Sequence, residues 1–286
     1  MEDVAARAKV LVEALPYIRR WAGTTMVVKY GGAAMVDERC KESLARDLVL
    51  LQHVGIRPVV VHGGGPMISD LMKRLGKEPV FVDGQRVTDE ETIEIVQMVL
   101  VGVVSQDLVR HIYNAGGKAV SVSGKDGCTI LAKRKVHGDA DLGFVGEIVR
   151  IDPRLLNELA ESGYLVVVSS IGMGEDGQSY NINADTAAGA IAAALQAEKL
   201  IILSDVPGLL RNPEDPSTLV SRLTVAEARL MLERGEVSGG MRPKLEACVH
   251  AVSEGVPRAH LLDGRMPHAM LMELFTDEGV GTMIER

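Results

Sequence analysis

The sequence predicts an α/β protein: a mostly parallel sheet held between two helical layers, a three-layer αβα sandwich, preceded by an N-terminal helical arm. Two observations carry this. Short β-branched runs alternate with longer stretches of helical periodicity along the 286 residues, the pattern of parallel strands joined by crossover helices. Two of those runs end directly in glycines that precede a helix, where open parallel sheets place their ligand sites.

Taken in order, MVVKY (26–30), PVVVH (58–62), AVSVS (119–123), YLVVVSS (164–170) and LIILSD (200–205) read as buried strands. Residues 37–54, 66–75, 89–115, 153–162, 185–197, 224–234 and 241–254 read as helices. TILAKRK and FVGEIVRI, within 125–151, predict a hairpin laid over the sheet, and RNPEDPST (211–218) a surface loop. Residues 1–24 stand apart as an arm before a domain over 25–286. Val4, Ala8, Leu11, Leu15 and Ile18 form a short a/d seam, with Pro16 expected to kink or break the helix. Such an arm either caps its own domain or packs on another subunit.

Charged residues make up 24% and hydrophobic ones 47%, ordinary for a globular protein, and the formal net charge is −8. The acidic balance and 3% aromatic content argue against a nucleic-acid partner. No uninterrupted apolar run approaches the ~18 residues of a membrane span, and the start MEDVAARAKV lacks a secretory pattern. Cys40, Cys128 and Cys248 are far apart, without CxxC spacing, which predicts neither disulfides nor zinc and fits a cytoplasmic protein.

Chemistry is suggested where glycines cluster. MVVKY runs into Gly31-Gly32, and PVVVH into Gly63-Gly64-Gly65-Pro66. Glycine lets backbone N–H groups approach an anion, and a helix N-terminus adds a favourable dipole. Lys29 lies two residues before the first pair. Asn181, Asn183 and Asp185 alternate before an alanine-rich helix; Asp185 is either that helix's N-cap or a carboxylate holding lysines. Lys244 falls in the first turn of a helix, where it opposes the macrodipole unless it meets an anion. Arg86 either pairs with Asp89 or Glu90 or clamps a substrate carboxylate. His62 is a candidate base, though a histidine ending a buried strand more often serves as a hydrogen-bonded core group. GxxxxGK[ST], GxGxxG after a strand, and the HRD/DFG pair are all missing, which excludes P-loop, dinucleotide-binding and protein-kinase readings.

KYGGAAM, VVVHGGGP, RVTD, SSIG…YNINADTAAGAIAAAL, LSDVPGLL and SGGMRPK, in this order and spacing, resemble the amino-acid kinase family, and within it the members that phosphorylate N-acetyl-L-glutamate. The resemblance runs from residue 25 to 286. It implies a 25–180 lobe for the amino-acid substrate and a 181–286 lobe for ATP. Lys29 and Lys244 then neutralise the transferring phosphoryl group, with Asp185 orienting both. Gly32 and Gly65 bind phosphates; Gly64, Gly65, Arg86 and Asn181 hold N-acetyl-L-glutamate, with Arg86 on its α-carboxylate. Asp205, Val206, Pro207, Gly208, Leu209 and Leu210, with Glu236, Val237 and Ser238, line the adenine and ribose pocket. Mg²⁺ is expected on the ATP phosphates and water, with no metal site on the protein itself.

Relatives with a leader helix resemble arginine-inhibited hexamers built from dimers, which implies an L-arginine site between arm and C-terminal tail involving Tyr17, His268, Glu278 and Gly281. Some relatives also dock a PII-type nitrogen-signalling protein. The competing readings are a sibling kinase and a non-catalytic sensor. The former asks for further domains or a base pocket; the latter should have lost Lys29, Asp185 or Lys244, and all three are present.

Overall fold

The computed structural model describes residues 2–138, 140–276 and 279–286. The chain opens with α1 (Glu2–Trp21) and enters the sheet through β1 (Thr25–Tyr30). A 3-10 turn over Gly32–Met35 leads to α2 (Glu38–His53), capped by the Asp37 carboxylate accepting from the Arg39 and Cys40 amides. β2 (Arg57–His62) and α3 (Gly65–Arg74) follow, with Pro66 in the first turn, where a missing N–H is harmless. β3 (Phe81–Val82) and β4 (Gln85–Arg86) form a small ribbon. α4 (Glu90–Gln97) passes through a π-helical stretch, Met98–Val104, into α5 (Ser105–Asn114).

Beyond β5 (Ala119–Ser123) lie the hairpin strands β6 (Ile130–Arg134) and β7 (Gly146–Ile151), then α6 (Arg154–Glu161) and β8 (Leu165–Ser169). Short β9 (Ile171–Met173) and β10 (Ser179–Asn181) precede α7 (Ala184–Ala194) and β11 (Lys199–Ser204). The C-terminal part comprises β12 (Arg222–Thr224), α8 (Val225–Glu233), α9 (Met241–Ser253), β13 (Arg258–Asp263), α10 (Ala269–Phe275) and β14 (Thr282–Glu285).

The main sheet has the order β12-β14-β13-β11-β1-β2-β8-β5. From β13 to β5 it is parallel throughout, and β14 pairs antiparallel with β13. Alternate side chains go to opposite faces and both faces are covered, which is why the strands read as unbroken apolar runs. Val27, Val59, Val61, Val166, Val168, Leu200 and Ile202 pack under α6, α7, α8 and α9. Met26, Val28, Val60, Val167 and Ile201 pack under α2, α3, α4, α5 and α10. The predicted αβα layers are present, and the predicted hairpin is antiparallel β6–β7, joined by β9 and β10 into a second sheet.

Several expectations need correction. β13 was not foreseen, because Arg258 and His260 interrupt its apolar pattern; β14 and α10 were missed as well. Of the kink or break expected at Pro16, the break is not seen: α1 runs on to Trp21 with Pro16 inside it. Trp21 is 4% exposed and its Nε1–H donates to Leu274 O at 3.0 Å, so the end of the arm belongs to the core. Val10, Leu11, Val12 and Leu15 are exposed, while the side chains of Val4 and Ala8 lie outside the described residues. The helical unit Glu90–Asn114 spans 25 residues and its most apolar 18-residue window has mean hydropathy 1.5, long and apolar enough to cross a membrane by length and composition. Half of its most apolar window is buried within the fold.

α7 and α9 lie unusually close because α7 is built of alanines around Gly189. A Cβ on Gly189 would lie 2.8 Å from Ala247 O and 3.2 Å from Ala247 Cα. Gly189→Ala is therefore expected to cost about 1–3 kcal/mol through overpacking, read as a lowered midpoint in urea unfolding.

Candidate active site

The strand order reverses direction at β1 and β11: the chain builds outward from β1 through β2 toward β5, and from β11 toward β13. Open α/β sheets bind ligands at such a switch point, beyond the C-terminal strand ends. Lys29 sits there on β1, 6% exposed. From the opposite side α7 presents Asp185, and α9 presents Lys244. Lys29 Nζ lies 3.0 Å from Asp185 Oδ1, and Lys244 Nζ lies 3.6 Å from Asp185 Oδ2.

Of the two alternatives for Asp185, the N-cap is not the one realised. Asn183 caps α7, its Oδ1 accepting from the Asp185 and Thr186 amides. This frees the Asp185 carboxylate to bridge two ammonium groups. The 3.0 Å approach of Lys29 is an ion pair without hydrogen-bond alignment, so buried Oδ1 retains an unused lone pair. Lys244 also donates to Gly240 O at 3.0 Å.

Two cavities meet at this constellation, sharing Lys29, Gly31 and Gly32 in their walls. One, of about 530 Å³, is lined by Asp205, Val206, Gly208, Leu209, Leu210, Glu236, Val237, Ser238 and Lys244. Pro207, expected beside them, turns the chain without lining the cavity; Met241 and Pro213 line it and were not foreseen. Leu209 N–H donates to Thr282 Oγ1 at 2.8 Å, tying this wall to β14.

The other cavity, of about 400 Å³, contains Gly63, Gly64, Gly65, Arg86, Asn181 and Asp185 in its wall. Arg86 is 7% exposed, and its guanidinium lies 4.7 Å from the Phe81 ring centroid. It donates to Gly65 O at 3.0 Å and to Ser69 Oγ at 2.8 Å. It does not pair with Asp89 or Glu90; Asp89 instead caps α4 and takes Lys77 at 2.8 Å. Among the described residues no carboxylate partners Arg86, and burial lowers its pKa. A buried guanidinium without an anion is completed by an incoming carboxylate. Asn181 Nδ2 donates to Thr88 Oγ1 at 3.3 Å. Sequence patterning did not single out Phe81, Lys135 and Thr186 in this wall: Phe81 lies on the short β3 and Lys135 just beyond β6, where no motif marks them, and Thr186 follows Asp185 on α7.

A third cavity, of about 380 Å³, lies between α1 and the C-terminal segment, with Tyr17, Arg20, Trp21, Lys199, His260, Glu273 and Gly281 in its wall. Glu273 Oε1 lies 2.8 Å from His260 Nδ1, and Lys199 Nζ 3.3 Å from His260 Nε2. Burial pushes the Glu273 carboxyl up, but the hydrogen bond and charge of His260, the Val280 amide and the Lys199 ammonium together more than offset this and hold it below its usual value. Burial lowers Lys199 to about 8, against the pull of Glu273. Tyr17 and Gly281 thus fall where expected. His268 does not: it begins α10 from a left-handed conformation (φ 60°) and its Nδ1 lies 2.5 Å from Asp47 Oδ1, in a separate cavity. Glu278 lies outside the described residues.

Residues 24–263 match the amino acid kinase family. The chain belongs to the amino acid kinase family. Over its whole length it is similar to acetylglutamate kinases: 52% identical to that of Heliobacterium modesticaldum, covering 97% of each chain. It is 55% identical to that of Thermosynechococcus vestitus, over 97% of this chain and 94% of the relative. In three dimensions it resembles the N-acetylglutamate synthase of Neisseria gonorrhoeae complexed with coenzyme A and N-acetyl-glutamate, with a TM-score of 0.86 and 29% identity. That likeness covers 98% of this chain but 63% of the synthase chain. The carbamate kinase of Giardia shares the fold, at TM-score 0.68 and 16% identity.

The site suits the nucleotide of a family kinase. A large cavity ends in two ammonium groups and a glycine turn, which fits a polyphosphate. At the phosphate end Asp185 is already engaged by both lysines, so the residues present do not form a cage for a divalent cation; Mg²⁺ would be held mainly by nucleotide oxygens and water. Elsewhere Glu38, Asp107 and His111 converge, but Lys41 lies 2.7 Å from Glu38 and 2.9 Å from Asp107, so a cation already serves these carboxylates. Asp185→Asn leaves Lys29 without its counter-charge in a water-poor site. It is expected to lose about 3 kcal/mol of unfolding free energy, read from urea denaturation at neutral pH.

Proposed function

We propose that this protein transfers the γ-phosphoryl group of ATP to the γ-carboxylate of N-acetyl-L-glutamate, giving N-acetyl-L-glutamyl 5-phosphate in arginine biosynthesis. The observation that carries this is the Lys29–Asp185–Lys244 bridge at the junction of the two cavities, with Arg86, which has no carboxylate partner among the described residues, in the wall of the smaller one. ATP occupies the larger cavity, against Asp205, Val206, Gly208–Leu210 and Glu236–Ser238, and the acetylated amino acid occupies the smaller; the expected division at residue 180 is not strict, because Lys29, Gly31 and Gly32 line the larger cavity and Asn181–Thr186 the smaller. Arg86 takes the α-carboxylate in a bidentate fork, and Asn181 with the amides of Gly64 and Gly65 completes the grip.

The nucleophile is a carboxylate with a pKa near about 4.3, ionised without help at neutral pH. No general base is required, and buried His62 supplies none. What the chain must provide is alignment of the attacking oxygen with the γ-phosphorus and cations for the charge spreading over the transferring group. Lys29 and Lys244 supply the cations from opposite sides, and Asp185 fixes their separation. Mg²⁺, carried on the phosphates, adds charge neutralisation.

L-Arginine as an inhibitor fits the third cavity. The Glu273 carboxylate matches its guanidinium, and Lys199 with Arg20 matches its carboxylate. The synthase of Neisseria gonorrhoeae, 28% identical, has a structure complexed with coenzyme A and L-arginine. The exposed apolar residues of the arm, Leu11 and Leu15, and those of the long helix, Met98, Val101 and Val103, favour self-association as dimers joined through their arms into a hexamer.

Hydroxylamine trapping of acyl phosphate tests the reaction: product is expected from N-acetyl-L-glutamate plus ATP and not from free L-glutamate. Product from free glutamate alone would reassign the acceptor. In the same assay Glu273→Gln is expected to raise the arginine concentration for half-inhibition at least tenfold, leaving uninhibited activity unchanged. Because Lys199 must be charged to pair with arginine's carboxylate, inhibition of the unmodified protein should weaken as pH rises through about 8.

A further inference from the structure

His62 ends β2, directly before the glycine turn, and is fully buried. Its Nδ1 lies 2.9 Å from Gly63 O and its Nε2 2.7 Å from Ser105 Oγ. A carbonyl only accepts, so the ring proton sits on Nδ1 and donates to Gly63 O; Nε2 then accepts from the Ser105 hydroxyl. Burial holds the ring's pKa down at about 4, so this neutral tautomer persists across the working pH range.

The Gly63 carbonyl shares its peptide plane with the amide N–H of Gly64. In a planar trans peptide those two bonds point in opposite directions, so fixing the carbonyl fixes the aim of the N–H. The next residue is constrained from the other side. A Cβ on Gly64 would lie 2.6 Å from Leu100 Cδ2 and 3.2 Å from Val104 Cγ2. Both belong to the π-helical stretch, and Ser105 N–H closes it with an i→i−5 bond to Leu100 O. The widened turn thus sets Leu100 and Val104 against Gly64 while Ser105 meets His62. π-Helical turns are uncommon and concentrate at functional sites; this one backs a ligand cavity that Leu100 itself lines.

We propose that His62, held by Ser105 at the end of the π-helical stretch Met98–Val104, is a positioning residue that aims the Gly64 amide at the bound acceptor and transferring phosphoryl group. The proposal rests on the phosphoryl-transfer reading above. It treats His62 as a brace with both nitrogens committed, so it neither takes nor gives a proton during turnover.

The test is steady-state kinetics in the hydroxylamine assay with His62→Asn, His62→Gln and Ser105→Ala. Unmodified protein is run first; lack of turnover there would overturn the reaction assignment rather than the brace. Asparagine can still offer an amide N–H near the Nδ1 position, whereas glutamine reaches toward Nε2. His62→Asn is expected to stay within about threefold of the unmodified kcat, and His62→Gln to lose roughly 10- to 100-fold, the scale of a misplacement of about 1 Å. KM for ATP should change by less than twofold in both. Ser105→Ala, a smaller cut, should lower kcat several-fold with the pH profile unmoved. Equal losses in the Asn and Gln variants, tracking only their melting temperatures, would overturn the proposal. If neither His62 variant folds, an unchanged kcat in Ser105→Ala would overturn it, and the several-fold fall would support it.

Discussion

Everything at the centre of this molecule is arranged around one carboxylate between two ammonium groups. Asp185 lies between Lys29 and Lys244, each contributed by a different element and all largely removed from water. Two cations alone would repel one another and incur a heavy desolvation cost; the shared carboxylate makes the pair tolerable and fixes their separation. The packing around it follows from this need. The alanines of α7 let its backbone approach α9, Asn183 rather than Asp185 caps the helix, and the parallel sheet delivers Lys29 from beneath.

The electrostatics are incomplete on purpose at the edges. Arg86 is buried without a carboxylate among the described residues, and one oxygen of Asp185 keeps a free lone pair. Such groups cost stability in the resting protein, and they make the cavity specific: a ligand lacking the matching charge leaves them unsatisfied. The stability forgone here is offset by two continuous apolar layers on the faces of the main sheet.

Much of this was legible in the sequence. β1, β2 and β11 announced themselves because a strand buried on both faces has no polar alternation. The glycine turns and the NINAD stretch marked the strand ends where ligands gather. What escaped reading did so for physical reasons. β13 carries Arg258 and His260, which pair with groups on β14 and α10 that are distant in sequence. The sequence offered Asp185 as a cap and not Asn183, because both residue types cap helices and only the backbone geometry selects between them. His268 appeared to belong with Tyr17 and Gly281, but its left-handed backbone turns it toward Asp47 on α2. Lys199, His260 and Glu273 gave no motif at all, since three elements of ordinary composition bring them together.

The two main cavities share only the Lys29–Gly31–Gly32 corner, and otherwise draw on different stretches of chain. The smaller cavity is walled by the glycine turn after β2, the β3–β4 ribbon, the β6–β7 hairpin and the Asn181–Thr186 segment that carries Asp185. A change of length or composition in the ribbon or the hairpin can reshape the smaller cavity while the larger one and the bridging carboxylate stay in place. Covering segments of this kind can change while the sheet, α7 and α9 keep the three charged groups in place.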